Sequence, residues 1–244
     1  MIDVKAKKSL GQNFLTSTSI VEKIVEEAGI TNKDIVIEIG PGLGILTNEL
    51  CKTAKKVKAI EIDSSLIPKL QQNLHHENLE IINADALTFI PTEKTYKIVA
   101  NIPYYITSPL ITHFLTLENP PSTMTIMVQK EVADKICDKK NSILSLQIHL
   151  YSTSKIVLRV HRGSFVPMPK VDSAVIHLKL LTKANRAKNP EKILSLAKQA
   201  FSQKRKKLSN TLRHILPILK ALHFEDLRPE HLSIQDWGKI SAQM

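Results

Sequence analysis

Cysteine is scarce in this 244-residue chain, which contains only Cys51 and Cys137. No Cys-x-x-Cys pair is present, which argues against a zinc ribbon and against a disulfide framework. No apolar run approaches the roughly 18 residues that a membrane span requires, and the first eight residues lack the apolar stretch of a signal peptide. We therefore expect a cytoplasmic protein that holds no metal and does not enter a membrane.

Glycine is scarce too, yet three of the seven glycines fall within the five residues 40–44, Gly-Pro-Gly-Leu-Gly. This segment follows an apolar run that predicts a buried strand, and glycine lets a backbone turn sharply and approach a ligand. A dinucleotide loop, G-x-G-x-x-G, would need glycine at position 45, where this chain has Ile45. Residues 38–44, Glu-Ile-Gly-Pro-Gly-Leu-Gly, resemble instead the cofactor loop of S-adenosylmethionine-dependent methyltransferases.

Apolar runs and helix-like patterns alternate over the first 180 residues, which is typical of a doubly wound α/β fold with a mostly parallel sheet. Strands are predicted at 35–39, 57–62, 79–82, 97–100 and 124–128. Helices are predicted at 43–51, 64–74, 108–117 and from 130 onward. Two later runs, 156–160 and 174–180, alternate apolar and polar residues, as an antiparallel pair at a sheet edge does.

The polar segment 182–190, which contains Asn-Pro, predicts a linker. Helical patterns follow at 192–201 and 208–222, and residues 228–244 predict a turn and a last short helix. We therefore expect one domain over residues 1–181 and a small all-helical domain over residues 182–244.

Positive charge is concentrated near the carboxyl end of the chain. The net charge is +11, and residues 182–244 hold 13 lysines and arginines against 5 acidic residues. A basic appendage of this kind indicates a polyanionic partner, although a merely solvated cationic surface is the alternative. Lys204-Arg205-Lys206-Lys207 is poorly explained as one face of a helix, because adjacent residues spread around a helix. Phosphate binding explains four consecutive cations better.

The most informative segment is Asn101-Ile102-Pro103-Tyr104, which follows the apolar run 98–100. In open α/β sheets, ligands bind at the carboxyl ends of the strands. Asn101 offers both an acceptor and a donor, Pro103 stiffens the backbone, and Tyr104 offers a flat face for stacking on a base. These features suit the holding of an exocyclic amine, and they predict methyl transfer to a nucleobase nitrogen.

Carboxylates follow two other predicted strands. Glu61 ends the second strand, where it could accept both ribose hydroxyls of an adenosine moiety, the alternative being a solvated strand-end carboxylate. Asp63 is predicted to cap the next helix. Asp85 follows the third strand and could accept a hydrogen bond from an adenine amino group. The alternative is that Asp85 only stabilises a turn.

Two further segments are open to two interpretations. Gln12 and Asn13 could bind the amino-acid end of the cofactor, or they could belong to a helix-capping stretch. Within residues 164–173, Phe165 could stack on the opposite face of a flipped base, and Lys170 could meet phosphate. The alternative there places Phe165 in the core at the start of an edge strand.

Taken together, these segments resemble the ribosomal RNA adenine N6,N6-dimethyltransferases that modify the small subunit, and the resemblance covers nearly the whole chain. It runs through Lys-Ser-Leu-Gly-Gln-Asn-Phe-Leu at 8–15, Glu-Ile-Gly-Pro-Gly-Leu-Gly at 38–44, Glu-Ile-Asp at 61–63, Asn-Ala-Asp-Ala at 83–86, Asn-Ile-Pro-Tyr at 101–104, Pro-Lys-Val-Asp-Ser-Ala-Val at 169–175, Ala-Phe-Ser-Gln-Lys-Arg-Lys-Lys at 200–207 and Arg-Pro-Glu-His-Leu-Ser at 228–233.

The resemblance implies a Rossmann-like class I methyltransferase domain with a mostly parallel seven-stranded sheet, followed by a small helical domain that binds RNA or the ribosome. It implies methyl transfer from S-adenosylmethionine to N6 of two adjacent adenosines in a hairpin near the 3′ end of 16S ribosomal RNA, with a role in ribosome biogenesis. The expected partner is therefore small-subunit ribosomal RNA in a pre-ribosomal particle. Nothing in the sequence indicates oligomerisation, and we expect a monomer.

The expected site residues follow from the same motifs. Those expected to contact the cofactor or line its pocket are Gln12, Asn13, Leu15, Gly40, Gly42, Gly44, Glu61, Ile62, Asp85, Ala86 and Asn101. Those expected to hold the target adenine are Asn101, Ile102, Pro103, Tyr104 and Phe165. Those expected to contact RNA are Lys7, Lys8, Lys170, Lys204, Arg205, Lys206 and Lys207.

The chain also departs from the family pattern. Tyr105 stands where members usually have asparagine, the loop 138–145 is shorter and lacks a Pro-Gly-Ser-Lys-x-Tyr-Gly-type sequence, and the carboxy-terminal region is short. Three alternatives stay open. They are the sister family that methylates large-subunit (23S) ribosomal RNA and confers macrolide resistance, a chiefly non-catalytic ribosome-assembly factor, and a DNA adenine methyltransferase.

Overall fold

The computed structural model describes residues 6–7, 10–137 and 142–244. The chain divides into two compact units, of which the first comprises Met1–Ala133 with Lys155–Leu180 and the second Asp134–Ser154 with Leu181–Met244. Lys8, which is expected to contact RNA, lies outside the described residues, as does the first half of the shortened loop 138–145.

A seven-stranded sheet forms the centre of the first unit, and a two-stranded sheet lies beside it in the same unit. The strands are β1 (Phe14–Leu15), β2 (Ile35–Ile39), β3 (Lys56–Glu61), β4 (Leu79–Asn83), β5 (Lys97–Asn101), β6 (Thr123–Gln129), β7 (Ser152–Val160), β8 (Phe165–Val166) and β9 (Ser173–Leu180). The large sheet has the order β4-β3-β2-β5-β6-β9-β7. Its first five strands are parallel, and β9 runs antiparallel to β6. The predicted mostly parallel, seven-stranded α/β sheet is thereby confirmed.

The central strands are buried on both faces of the sheet, which explains the continuous apolar runs that predict them. Val36 and Ile37 on β2 and Ile98 and Val99 on β5 have no exposed surface. A strand covered on both faces shows a continuous apolar run rather than alternation. The two late strands are neighbours at one end of the sheet, with β7 outermost. β9, between β6 and β7, is buried over its first four residues, whereas most of β7 is partly or fully exposed.

The helices of the first unit connect these strands and cover the sheet. They are α1 (Thr18–Glu27), α2 (Ile45–Thr53), α3 (Ile67–Asn73), α4 (Thr107–Thr116) and α5 (Lys130–Cys137), the last of which continues into the second unit. In α1, Val21, Ile24 and Val25 are buried at the spacing of one helical face. They pack in one cluster with Val36 and Val57 from the sheet.

The second unit is helical. Its helices are α6 (Ile143–Tyr151), α7 (Pro190–Phe201), α8 (Leu208–Thr211), α9 (Leu216–Ala221) and α10 (Ile234–Ala242). Helices α6, α7 and α10 pack on one another, and Trp237 on α10 is almost fully buried. No helix within the described ranges is long and apolar enough to cross a membrane.

Two elements of the second unit differ from the prediction. The single helix predicted over 208–222 is wrong, because the chain forms α8, a 3₁₀ turn at Arg213–Ile215, and α9. Leu212 leaves the helical region at φ −120° and ψ 47°. Pro217 lies in the first turn of α9, where its missing N–H is harmless, but a helix could not continue through it. Helix α6 was not predicted at all.

Candidate active site

A cavity of about 310 Å³, called the central cavity below, opens at the carboxyl ends of the parallel strands of the first unit. Fourteen of the predicted site residues line it, namely Gln12, Asn13, Leu15, Gly40, Gly42, Glu61, Ile62, Asp85, Ala86, Asn101, Ile102, Pro103, Tyr104 and Phe165. They lie on separate stretches of chain, and the parallel strand order brings the ends of β2, β3, β4 and β5 to one edge of the sheet. This is the ligand position expected of an open α/β sheet.

The glycine loop after β2 forms one wall of the central cavity. Gly42 has φ 59°, and a Cβ there would lie 3.1 Å from the ring of Phe14, so a side chain would push the loop away from the amino-terminal segment. Gly44 does not line the cavity. It caps α2 at φ 85°, and a Cβ would come 2.7 Å from Cδ1 of Leu74. Position 44 therefore requires glycine because a side chain there would collide with Leu74, the residue that follows α3.

Glu61 is held at the end of β3 with only 5% of its surface exposed. Its Oε1 accepts from the backbone N–H of Asp63 at 2.9 Å, and its Oε2 accepts from the N–H of Gly42 at 3.4 Å. Burial raises the pKa of Glu61, and these two backbone donors act against that rise. The carboxyl group is thus fixed in direction and faces the cavity wall that the glycine loop forms.

Asp63 joins the amino-terminal segment to β3. Its Oδ1 accepts from Nζ of Lys7 at 2.6 Å and from Oγ of Ser65 at 2.6 Å, and its Oδ2 accepts from Nε2 of Gln12 at 2.9 Å. Burial alone would raise the pKa of Asp63, but the hydrogen bonds from these three side chains outweigh it and lower the pKa to about 2. Lys7 and Gln12 therefore bind Asp63, in addition to any role at the cavity or with RNA.

Asn13 and the backbone around it lie over the other side of the site. The side-chain amide of Asn13 donates to the carbonyl of Gly11 at 3.0 Å. A Cβ on Gly11 would lie 3.3 Å from Cβ of Pro103 and 3.4 Å from the ring of Tyr105. The amino-terminal segment therefore packs on the turn that follows β5. Tyr105, the departure from the family pattern, is 64% exposed and lines the cavity rim.

The Asn-Ile-Pro-Tyr segment ends β5 as predicted. Asn101 is the last residue of the strand, and its side-chain amide makes no hydrogen bond with any described residue, although it lines the cavity. Pro103, at φ −55° and ψ 136°, leads into a 3₁₀ turn at Tyr104–Ile106. The hydroxyl of Tyr104 lies 2.7 Å from Oγ of Ser173, which fixes the ring. An unpaired amide and an anchored aromatic ring thus face the same cavity.

Phe165 lies in the core, as one of the two interpretations predicts, and its stacking on a base stays a prediction. It is 3% exposed and packs in the main core cluster with Leu15, yet it also lines the central cavity. The pairing of β1 with β8, in which Leu15 faces Phe165, places it there.

Glu38 was missed by the sequence analysis as a site residue. It lies within β2, lines the central cavity, and is 1% exposed. Neither carboxyl oxygen accepts a hydrogen bond of ordinary geometry from a described residue, although the nearby hydroxyl of Thr47 acts to lower the pKa of the group. Burial, with a smaller contribution from the charge of Glu61, raises the pKa of Glu38 to about 8. A single carboxylate inside the otherwise apolar run Ile-Val-Ile-Glu-Ile was the signal that could have found it.

The charged side chains that line the central cavity are all acidic within the described part of the chain. They are Glu38, Glu61 and Asp85. Asp85 is exposed, and its Oδ1 accepts from the N–H of Leu87 at 2.8 Å, as a turn aspartate does. Close by, Ile62 leaves 56% of an apolar side chain exposed. No group of three or more His, Cys, Asp or Glu residues that could hold a metal occurs in the described ranges.

None of the described cations that are predicted to contact RNA lines this cavity. Lys170 lines a shallow depression elsewhere on the first unit. In the second unit, Lys204, Arg205 and Lys206 are exposed and make no ion pair with any described residue. Lys207 differs from them, because its Nζ lies 2.8 Å from Oδ1 of Asp226.

The fold and the strand-end cavity define a Rossmann-like methyltransferase, and comparison with known proteins gives the family. The sequence profile of the ribosomal RNA adenine dimethylase family matches residues 3–232. The chain is 39% identical to ribosomal RNA small subunit methyltransferase A of Clostridium botulinum strain Langeland, over 98% of this chain and 94% of the relative. It is 40% identical to the protein of the same name from Bacillus pumilus, over 96% and 90% of the two chains.

Two solved structures give the same result. A dimethyladenosine transferase from Plasmodium falciparum superposes with a TM-score of 0.81 at 30% identity, over 93% of this chain and 95% of that one. The 23S rRNA methyltransferase ErmE superposes with a TM-score of 0.72 at 28% identity, over 95% of this chain and 99% of that one. The chain belongs to the ribosomal RNA adenine dimethylase family.

Proposed function

We propose that the protein transfers methyl groups from S-adenosylmethionine to N6 of two adjacent adenosines in a hairpin near the 3′ end of 16S ribosomal RNA. The product is N6,N6-dimethyladenosine. The observation that carries this proposal is the side-chain amide of Asn101, which lines the central cavity with no partner among the described residues, beside the anchored ring of Tyr104. Family membership and the names of the relatives support the choice of adenosine in small-subunit RNA.

The residues of the central cavity fit S-adenosylmethionine, which supplies an electrophilic methyl group on a positively charged sulfur when it is bound. Its sulfonium and ammonium charges match the carboxylates of Glu61 and Asp85 in the described lining. Glu38, whose pKa is raised to about 8, adds a largely protonated carboxyl group. A dinucleotide would instead place its anionic pyrophosphate among these carboxylates, which is unfavourable. Glu38 in particular is a buried carboxyl group that no described donor satisfies, and a buried polar group of this kind calls for a partner.

Individual residues divide the recognition of the donor among them. Glu61, fixed by two backbone N–H groups, is placed to accept the ribose hydroxyls. The free oxygen of Asp85 is placed to accept an adenine amino group, and the exposed side chain of Ile62 would be covered by the adenine ring. Gly40 and Gly42 keep the loop free of side chains on this wall, which allows close approach of the ligand.

Asn101 acts on the amine that receives the methyl group. The N6 lone pair of adenine is delocalised into the ring, so the nitrogen is a weak nucleophile. In the first transfer the side-chain carbonyl of Asn101 and the backbone carbonyl of Ile102 accept the two N6 hydrogens, and in the second transfer one of them accepts the hydrogen that remains. These carbonyl groups thereby favour a tetrahedral nitrogen whose lone pair points at the methyl group. Each transfer replaces one N6–H bond by an N6–carbon bond, and the proton passes to water. Catalysis is then dominated by positioning and by fixed dipoles rather than by a general base.

The target adenosine has to leave its stack to reach Asn101. Tyr104 and Phe165 are placed to receive the base, and stacking on an aromatic ring contributes about 1–3 kcal/mol per base. The anchoring of Tyr104 by Ser173 reduces the freedom that the ring would otherwise lose on binding.

The basic second unit supplies the contact with RNA in this proposal. Lys204, Arg205 and Lys206 are exposed and unpaired among the described residues, as cations that bind phosphate need to be. Lys170 on the first unit extends the same role, and Lys7 contributes to it only as a cation that also pairs with Asp63. In this proposal the protein acts as a monomer on a pre-ribosomal particle. The methyltransferase domain ends at residue 181, and the RNA-binding domain begins at residue 182.

A labelling experiment tests the proposal. The purified protein is incubated with labelled S-adenosylmethionine and, separately, with unmethylated small subunits, large-subunit RNA and duplex DNA, after which the RNA or DNA is digested to nucleosides. We expect label in dimethyladenosine from the small subunit alone. Label in large-subunit RNA would select a 23S rRNA methyltransferase activity, the kind for which ErmE is named. Absence of label everywhere would favour a non-catalytic assembly factor.

A further inference from the structure

A second cluster of polar side chains lies on the first unit at the point where β6 ends and β9 begins. Its cations are Lys130, Arg162 and Lys170, which are exposed and, with His161, line a shallow depression of about 410 Å³. We refer to these four residues as the basic cluster. Two acidic residues, Glu131 and Asp172, line the same depression, so the three permanent cations outnumber the carboxylates by one. The side chains of Lys130 and Lys170 make no hydrogen bond or ion pair with any described residue.

Asp172 lies at the centre of the basic cluster and holds the turn that carries Arg162. Its Oδ1 accepts from the backbone N–H of Arg162 at 3.0 Å and lies 3.9 Å from Nε2 of His161. Its backbone carbonyl accepts from the N–H of Lys130 at 3.0 Å. The guanidinium of Arg162 also donates to the carbonyl of Lys170 at 3.4 Å. Asp172 thus joins the backbone of Arg162 to that of Lys130, and Arg162 in turn contacts the backbone of Lys170.

The next residue along the chain connects this cluster to the central cavity. Ser173 is fully buried, and its Oγ lies 2.7 Å from the hydroxyl of Tyr104. Ser173 also pairs with Gln129, the last residue of β6, while β6 pairs with β5 through Met127 and Asn101. The basic cluster is therefore one strand away from the Asn101 amide, and a single peptide unit links its organising residue to the anchor of Tyr104.

We propose that the basic cluster binds a phosphodiester of the RNA strand next to the adenosine that enters the central cavity. This inference rests on the proposed function, because it assumes that a nucleotide occupies that cavity. Arg162 presents a planar fork that matches phosphate oxygens, and Lys170 and Lys130 add point charges around it. The phosphates that flank a flipped nucleotide stay on the strand outside the pocket, which is where exposed cations can reach them.

Asp172 is a positioning residue in this arrangement rather than a contact residue. The negative charge of Asp172 would by itself repel phosphate. However, Asp172 fixes the turn that carries Arg162, and the next residue, Ser173, holds Tyr104. Asp172, which positions the cations that bind the RNA backbone, and Ser173, which anchors the ring that stacks on the base, are adjacent residues. Binding of the RNA strand and orientation of the Tyr104 ring are therefore coupled.

The first test compares two double variants that lose the same charge. Arg162→Gln with Lys170→Gln removes the centre of the basic cluster, and Lys23→Gln with Lys33→Gln removes two exposed cations that line neither the cavity nor the depression. RNA affinity is measured by fluorescence anisotropy across a range of salt concentrations. We expect the cluster variant to bind about tenfold more weakly, with a salt slope shallower by about 1 for each cation. Equal losses in both variants would overturn the proposal.

A second measurement identifies the phosphate. A hairpin RNA carries an uncharged methylphosphonate at one linkage beside the target adenosine. This change should weaken binding to the unmodified protein and to the Lys23 and Lys33 control. It should have little effect on the Arg162 and Lys170 variant, which has already lost the contact. A loss of the same size in all three proteins would contradict the assignment. These are binding measurements, so they stand even if the methylation assay fails and the proposed function is rejected.

Asp172→Ala, which removes the acceptor of the Arg162 N–H together with the charge, separates positioning from charge. The substitution makes the cluster more positive, so simple electrostatics predicts tighter RNA binding. Positioning predicts weaker binding, a raised KM for RNA, and an unchanged affinity for S-adenosylmethionine. Tighter binding of RNA would refute the role of Asp172 as the organiser of the cluster.

Discussion

Nζ of Lys7 lies 2.6 Å from Oδ1 of Asp63, a carboxylate whose side chain is only 3% exposed. Asp63 also receives hydrogen bonds from Gln12 and Ser65. The amino-terminal segment that lines the central cavity is therefore tied to the end of β3, next to Glu61. The contact spans 56 positions of sequence.

Asp63→Asn should loosen the amino-terminal segment. We expect the free energy of unfolding to fall by about 2 kcal/mol, because a charge-assisted contact at a buried acceptor is lost, and we expect weaker binding of S-adenosylmethionine in calorimetry. The pKa of Asp63 is lowered from 3.8 to about 2, so its contribution is present above pH 4 and disappears as the pH falls towards 2. Glu49→Gln, which breaks the exposed pair with Lys52, is the control and should cost less than about 1 kcal/mol.

Glu38→Gln should stabilise the protein at alkaline pH in the absence of cofactor. The pKa of Glu38 is raised from 4.5 to about 8, so the native state keeps a proton that the unfolded chain loses above pH 4.5. Stability is thus lost as the pH rises from about 4.5 to 8 and stays constant beyond that. Denaturant unfolding should show the variant equal to the parent near pH 5 and more stable by up to about 5 kcal/mol above pH 8. A pH-independent difference would contradict the raised pKa.

Asn101→Ala should abolish methyl transfer and leave RNA binding intact. Removal of one hydrogen-bonding group aimed at the reacting atom lowers kcat by about 100- to 1,000-fold. Single-turnover transfer and RNA anisotropy measure the two properties separately. Asn73→Ala on the exposed face of α3 is the control and should behave like the parent. Near-normal turnover of the Asn101 variant would remove this residue from the mechanism.

Tyr104→Phe and Ser173→Ala should have the same effect, because each removes the one hydrogen bond that joins them. We expect each variant to retain base stacking and to lose about 1 kcal/mol of transition-state stabilisation, measured as kcat/KM. The double variant should be no worse than either single one, since the interaction is already lost. Fully additive losses would show that the two hydroxyl groups act independently.

Replacement of Lys204, Arg205 and Lys206 with alanine should flatten the dependence of RNA affinity on salt. Each lost phosphate contact lowers the slope of log affinity against log salt by about 1. Lys207→Ala is the matched comparison, because that ammonium group already pairs with Asp226 and should change the slope less. An unchanged slope in the triple variant would reject this run as a phosphate site.

The strand ends of the site could be predicted because each follows a local signal. The run before Asn101 is apolar and buried on both faces, and parallel pairing brings the carboxyl ends together without any further information. Glu61 and the glycine loop were found in the same way. Gly44 was expected beside the cofactor by its spacing alone, whereas its packing against Leu74 depends on the tertiary structure.

Contacts between distant segments could not be predicted from spacing. The pairing of β1 with β8 joins residues some 150 positions apart. The sequence around Leu15 and Phe165 contains no signal that predicts this pairing. The same holds for Lys7 with Asp63. In the second unit, Pro217 was a visible signal against a continuous helix over 208–222, and the apolar periodicity on both sides of it masked that signal.

The acidic lining of the central cavity has a consequence for turnover. With S-adenosylmethionine as the proposed donor, transfer of the methyl group converts a sulfonium cation into a neutral thioether. Glu61 and Asp85 then attract the spent molecule less strongly than the fresh one, since one of its two positive charges has gone. Such a lining favours exchange of product for donor, which an enzyme that modifies the same adenosine twice has to perform between its two steps.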